Sequence, residues 1–214
     1  MFKDRLDGGR QLAQSLSSIG DSPIIVLGLP RGGVPVAQVV AEHLGAPLDL
    51  IIVRKLGVPW QPELAFGALG EDGQKFLNFT VINELALSKE VRSEVINREE
   101  TEIKKRQSLF RGDRKPLDLH DQTVIIVDDG IATGATIHVA CDVARARGAK
   151  KVIIAAPVAA KAAVRELAAH ADSVEVLLQP EEFSSVGQWY EDFTPTLDED
   201  VIRIVNENRK LHGN

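Results

Sequence analysis

The stretch Val124-Ile125-Ile126-Val127-Asp128-Asp129-Gly130-Ile131-Ala132-Thr133-Gly134-Ala135-Thr136-Ile137 decides the reading of this chain. Its first four residues are β-branched and unbroken, the pattern of a strand buried on both faces. Two adjacent carboxylates then fall at the strand's C-terminal edge, where open α/β sheets bind ligands. Ionised carboxylates only accept hydrogen bonds, so the pair suits a vicinal diol or a metal ion with its waters. A small, hydroxylic turn follows, leading into a helix predicted from about Ala135 to Arg147 and closed by Gly148. Such a turn aims backbone amides and the positive helix end at an anion, and Thr133 and Thr136 add two hydroxyl donors. A diol beside a phosphate monoester describes a ribose 5-phosphate. A plain β-α turn with acidic residues is the simpler alternative for any one of these features.

Outward from this segment, strand and helix patterns alternate. Ile24 to Leu29 reads as a first strand, followed by Pro30-Arg31-Gly32-Gly33 and a helix with Val36, Val39, Val40 and Leu44 that ends at Gly45. Leu48 to Val53 reads as a second strand stopping at Arg54-Lys55. Val152 to Ala156 and Val174 to Leu178 read as two more strands, with helices over Ala160 to Ala169 and Asp198 to Leu211. The pattern predicts one α/β domain over residues 1–214, an open, mostly parallel sheet with flanking helices. Residues 56–110 interrupt the alternation. Leu64 to Leu69 and Lys75 to Phe79, around Glu71-Asp72-Gly73, predict a β-hairpin. Ser88 to Leu109 predicts a charged helix anchored by Val91, Val95, Ile96 and Ile103, either a solvated helix or a covering flap that moves. Residues 179–214 follow the last predicted strand as a C-terminal segment.

Composition bounds the function. With 214 residues, 44% hydrophobic and 26% charged, the chain has enough apolar surface for a core and is not a disordered polymer. Its 25 basic and 31 acidic side chains give a net charge of −6, against a dedicated DNA binder. The single cysteine, Cys141, excludes an internal disulfide framework. The opening residues MFKDRLDGGRQLAQSL are too charged for a signal peptide and no apolar run has the length of a membrane span, so a cytoplasmic protein is expected. Neither GxxxxGK[ST] nor GxGxxG follows any strand, which disfavours a kinase-like or dinucleotide-binding protein.

The segment 124–137 resembles the phosphoribosyl pyrophosphate (PRPP) motif of type I phosphoribosyltransferases, a hydrophobic strand, two acids and a Thr-Gly-x-Thr loop. The resemblance covers about residues 20 to 178. It implies that Asp128 and Asp129 meet the ribose hydroxyls and hold Mg2+, directly or through water, and that Gly130, Ala132, Thr133, Gly134, Ala135 and Thr136 take the ribose and 5-phosphate. The family uses the loop after the first strand for pyrophosphate, which implies that role for Pro30, Arg31, Gly32 and Gly33. Arg54-Lys55 resembles a pair that several members direct at the same group. The implied reaction transfers the 5-phosphoribosyl group from PRPP to a nitrogenous acceptor. Mg2+, Arg31 and Lys55 would neutralise the leaving pyrophosphate, and Asp128, Asp129 and Arg31 would be the catalytic residues. The run Arg54 to Ala65 (RKLGVPWQPELA) resembles a little-characterised branch of the family, which implies a flap of fixed architecture.

The family builds a variable hood over its acceptor, which the resemblance places at residues 179–214, and four of the ten aromatic residues, Phe183, Trp189, Tyr190 and Phe193, crowd into it. Phe183, Trp189 and Tyr190 form either a stacking surface for a planar acceptor or a small satellite core, with Trp60 and Phe66 closing from the flap. Glu191 and Asp192 lie beside them as readers of an acceptor's donors. Ala132 stands where the 6-oxopurine enzymes carry an aspartate, which lowers a hypoxanthine or guanine assignment. The competing reading is a non-catalytic PRPP sensor, with Lys104-Lys105-Arg106 and Arg111 to Lys115 as a local basic stretch for RNA. A homodimer is expected by analogy alone.

Overall fold

The computed structural model describes residues 1–19 and 23–213, apart from the side chain of Glu63. Its central sheet has the strand order β2-β1-β6-β7-β8, all pairs parallel, from β1 (Ile24–Gly28), β2 (Leu48–Leu50), β6 (Thr123–Val127), β7 (Lys151–Val158) and β8 (Ser173–Leu178). The unbroken apolar runs have a direct cause. Ile125 and Val127 enter the core on one face of β6, and Val124 and Ile126 enter the core on the other. A sheet covered on both sides leaves no position along a central strand for a polar side chain.

Helices α1 (Arg5–Ser15), α2 (Gly33–Leu44) and α7 (Asp198–His212) contribute to the first of these cores, and α5 (Ala135–Ala146) and α6 (Lys161–Leu167) to the second. Gly45 ends α2 in the left-handed conformation, as the sequence predicts. The helix α1 is not among the elements read from the sequence. Asp4 caps it, accepting from the Asp7 N–H at 2.7 Å, and so places Arg5 at its first turn.

The run Leu48 to Val53 does not form one strand. Ile51 still donates to Gly28, whereas Ile52 accepts from Glu71, so the chain leaves the parallel sheet between them. It enters a separate antiparallel sheet, order β3-β4-β5, made of β3 (Val53–Val58), β4 (Gln61–Gly70) and β5 (Lys75–Leu77). Arg54 and Lys55 therefore lie inside β3 rather than at the end of a parallel strand. The predicted hairpin is present, with Asp72 in the left-handed region at its turn, and β3 adds a third strand to it. Phe79 lies beyond β5 and opens a short helix, α3 (Phe79–Glu84). The charged helix is α4 (Lys89–Arg111), capped by Ser88.

Helix α4 is anchored at several points along its length. Val95, Ile103 and Phe110 are buried in the core, and at its C-terminal end Arg111, only 3% exposed, enters a buried ion network. Arg111 Nη1 donates to Glu71 at 2.5 Å, Nε donates to Asp49 at 3.3 Å, and Nη2 donates to the Leu50 carbonyl. Arg209 and Arg147 approach the same two acids. Arg111 is thus an interior residue, which removes it from the basic stretch proposed for RNA. No helix among the described residues is long and apolar enough to cross a membrane.

Candidate active site

The acid pair lies at the C-terminal end of β6. The Asp129 N–H donates to Asp128 Oδ1 at 2.9 Å, which fixes the first carboxylate against its own backbone. Burial raises the Asp128 pKa well above the ordinary carboxylate value, and the neighbouring Asp129 charge pushes it further the same way. Asp129 is held from outside the motif. Its Oδ2 accepts from Arg5 Nε at 2.8 Å, and its backbone carbonyl accepts from the Tyr190 hydroxyl at 2.5 Å. The glycines after β1 serve this packing. A Cβ on Gly32 would stand 2.0 Å from Asp129 Oδ2, and one on Gly33 would stand 2.7 Å from the Val127 carbonyl. Close approach at these glycines is to the acid pair itself.

Three cavities meet around the two acids. The smallest, about 170 Å³, is lined by Gly130, Ala132, Thr133, Gly134 and Thr136, with Asp128 and Lys55 at its other side. Gly134 takes a positive φ of 76° as the N-cap of α5, and Ala135 opens the helix, so the turn faces this cavity with the positive helix end. A second cavity of about 400 Å³ is lined by Pro30, Arg54, Lys55, Arg98, Arg106 and Asp128, among others. Here Glu99, 5% exposed, accepts from Arg54 Nε at 2.9 Å and from Arg98 Nε at 3.1 Å, orienting both arginines from beneath. Burial lowers the Arg106 pKa, with Arg54 and Arg31 adding repulsion, so several cations share this region. The third cavity, about 350 Å³, is lined by Arg5, Arg31, Gly32, Asp129, Phe193, Pro195 and Thr196.

The phosphoribosyl transferase domain family model matches residues 3–188. The chain belongs to this family. Two curated relatives, both named "Putative phosphoribosyl transferase", come from Mycobacterium tuberculosis strains CDC 1551 / Oshkosh and ATCC 25618 / H37Rv. Each is 48% identical over 206 residues, covering 96% of this chain and 46% of its own length, so the chain spans about half the length of the curated relatives it matches. The crystal structure of TT1426 from Thermus thermophilus superposes with a TM-score of 0.82 at 39% identity, covering 96% of this chain and 98% of that one. The AQ2163 protein of Aquifex aeolicus shares the fold, with a TM-score of 0.53 at 13% identity over 92% of this chain and 82% of that one.

Within this phosphoribosyl transferase domain, five of the six residues expected at pyrophosphate divide between two cavities, and Gly33 lines neither, packing against Val127 and Asp128 instead. Pro30, Arg54 and Lys55 share one with Asp128, whereas Arg31 and Gly32 line the other with Asp129. Arg31 lies 3.7 Å from Asp198 at the start of α7. The peptide bond between Pro30 and Arg31 is cis. Of the two readings of the hood aromatics, the packing matches the satellite core. Tyr190, 5% exposed, packs between Phe2 and Phe193 at ring distances of 5.4 and 5.2 Å, and Phe183 stacks on Trp189 at 6.4 Å. Those three side chains belong to a satellite core, because the N-terminal segment pairs with the hood and supplies Phe2 as its centre. The hood residues that line the cavities are Phe193, Pro195 and Thr196 in one and Val186 in another. Phe66 lies wholly in the core, while Trp60 is 63% exposed at the β3–β4 turn. Asp192 is engaged by the Thr194 N–H and hydroxyl. His138 packs between Phe76 and His170, and burial pushes the Cys141 thiol up to about 12, consistent with packing roles for both.

Four residues at the site were not found from sequence: Arg5, Arg98, Glu99 and Arg106. Glu99 and Arg106 carry a readable signal. They fall at helical spacing within the stripe Val95, Ile103 and Phe110, and charges interrupting an apolar stripe face something other than water. Arg5 has no local signal, since its partner is 124 positions away.

Proposed function

We propose that this domain transfers the 5-phosphoribosyl group from PRPP to a nucleobase-like nitrogenous acceptor, releasing pyrophosphate. The observation that carries this reading is the convergence of the three cavities on Asp128 and Asp129. The carboxylates accept hydrogen bonds from the ribose 2- and 3-hydroxyls. Backbone amides of the Gly130–Thr136 turn and the two threonine hydroxyls hold the 5-phosphate. Arg54, Lys55 and Arg106 stabilise the charge that collects on the leaving diphosphate as the bond from C1 to oxygen breaks. The acceptor nitrogen forms the new bond to C1 and gives its proton to solvent. Sheet β3-β4-β5 and helix α4 wall the site against water, which would otherwise capture the cation-like sugar.

Among the described residues no group of three or more His, Cys, Asp or Glu side chains forms a metal cage. The acid pair nevertheless offers hard oxygen donors of the kind magnesium takes one or two of, the rest coming from water and substrate phosphates. When bound there, Mg2+ supplies further neutralisation of diphosphate charge. Magnesium dependence, the acceptor class and a cytoplasmic setting belong to the same proposal. The test is a screen of nucleobases and related amines for pyrophosphate release from PRPP with magnesium. Release that needs one acceptor and disappears in Asp128→Asn/Asp129→Asn supports the enzyme. PRPP binding without release for any acceptor would favour the sensor instead.

A further inference from the structure

Arg5 is not used in the chemistry above, yet its guanidinium is among the most tightly held groups at the site. Nε donates to Asp129 Oδ2 at 2.8 Å, Nη1 donates to the Thr194 carbonyl at 2.8 Å, and the guanidinium carbon lies 3.8 Å from the Phe193 ring centroid. The Arg5 and Asp129 side chains are 11% and 13% exposed. The platform beneath Arg5 is itself anchored to the same end of the chain. Phe2 N–H donates to Trp189, Glu191 N–H to Phe2, and Asp192 N–H to Lys3, at 2.8–2.9 Å. Helix α1 and the hood therefore form one frame around Asp129. Gly32 closes on Oδ2 as well, so Arg5 and the loop after β1 confine that oxygen together.

Two adjacent carboxylates repel, and an unrestrained Asp129 would turn toward water, away from Asp128. An ionised carboxylate offers about four acceptor lobes, and Arg5 Nε occupies one. From this geometry we infer that Arg5 is a positioning residue for sugar binding: it holds the Asp129 carboxylate so that the acid pair presents a preformed set of acceptors to a vicinal diol. The planar guanidinium suits the task because one rigid fork reaches the carboxylate and the Thr194 carbonyl while lying on an aromatic ring. Arg5 also offsets part of the repulsion that two carboxylates exert on a polyanionic sugar phosphate. This inference rests on the ribose reading of the acid pair.

The experiment is calorimetric titration of ribose 5-phosphate and, separately, inorganic pyrophosphate into wild type, Arg5→Ala and Arg5→Lys, with a thermal melt of each. Arg5→Ala is expected to weaken ribose 5-phosphate about tenfold or more while leaving pyrophosphate within about twofold of wild type. Arg5→Lys keeps the charge without the fork and falls between them. It also preserves the comparison if the alanine variant does not fold. Equal affinity of wild type and both variants for ribose 5-phosphate would overturn the inference alone. Parallel loss of both ligands would overturn it too, by showing a general structural role. If wild type bound pyrophosphate but no ribose 5-phosphate, the ribose reading would fall, and the role of Arg5 with it.

Discussion

Two walls of the site meet at Asp128, and they are built in opposite ways. The wall with Thr133 and Thr136 comes from one continuous passage of chain, β6, its turn and α5. The facing wall joins Arg54 on β3 to Glu99 on α4, 45 positions apart, and is held there by a buried acid and a buried arginine network. A continuous wall takes its geometry from local rules: strand end, left-handed glycine, helix N-terminus. An assembled wall exists only if the packing of a second sheet and a long helix succeeds. Damage to the first should therefore be chemical and local, and damage to the second should reach stability.

The largest effect is expected from Arg111→Met. It removes the cation that bridges the buried Asp49 and Glu71 and leaves Arg209 beside the one and Arg147 beside the other, so the unfolding free energy should fall by about 3–5 kcal/mol in urea denaturation. A loss below about 1 kcal/mol would mean that the assembled wall does not depend on this network. Arg106→Ala sharpens the contrast at the ligand. Pyrophosphate affinity should drop about tenfold with ribose 5-phosphate unchanged, while Thr133→Ala should show the reverse preference, by calorimetry. Equal losses for both ligands in both variants would erase the division into two walls.

A smaller effect, opposite in sign, is expected from Asp128→Asn. Because the folded protein raises the Asp128 pKa, wild type loses stability as pH rises from the unfolded-state value through the folded one. The variant should melt about 2–4 °C higher at pH 8, the equivalent of roughly 1 kcal/mol at this length, and the gain should vanish near pH 3. Coincident melting curves at pH 8 would show that the acid pair carries no such cost.

What the sequence revealed follows the same division. The parallel strands, α2, α5, α7 and the Asp128–Thr136 segment were legible because each depends on neighbours within a few residues. The split of Leu48–Val53 between two sheets was not, since Leu50 to Val53 is an unbroken apolar run and the switch is made by hydrogen bonds from Ile51 to Gly28 and from Glu71 to Ile52. The aromatic cluster of the hood was visible, but its orientation was not. Phe2, from the opposite end of the chain, turns Tyr190 inward and leaves Phe193 at the site. Arg5 was invisible for the same reason. Its meaning comes entirely from Asp129, Phe193 and Thr194.

The central claim is that Asp128 and Asp129 bind the sugar of PRPP while the facing wall binds its diphosphate. The most direct measurement is calorimetric titration of PRPP into wild type and Asp128→Asn/Asp129→Asn, with and without magnesium, using ribose 5-phosphate as the control. The account predicts magnesium-dependent PRPP binding, tighter than ribose 5-phosphate, that is lost in the double variant. Failure of folded wild type to bind either ligand would contradict it.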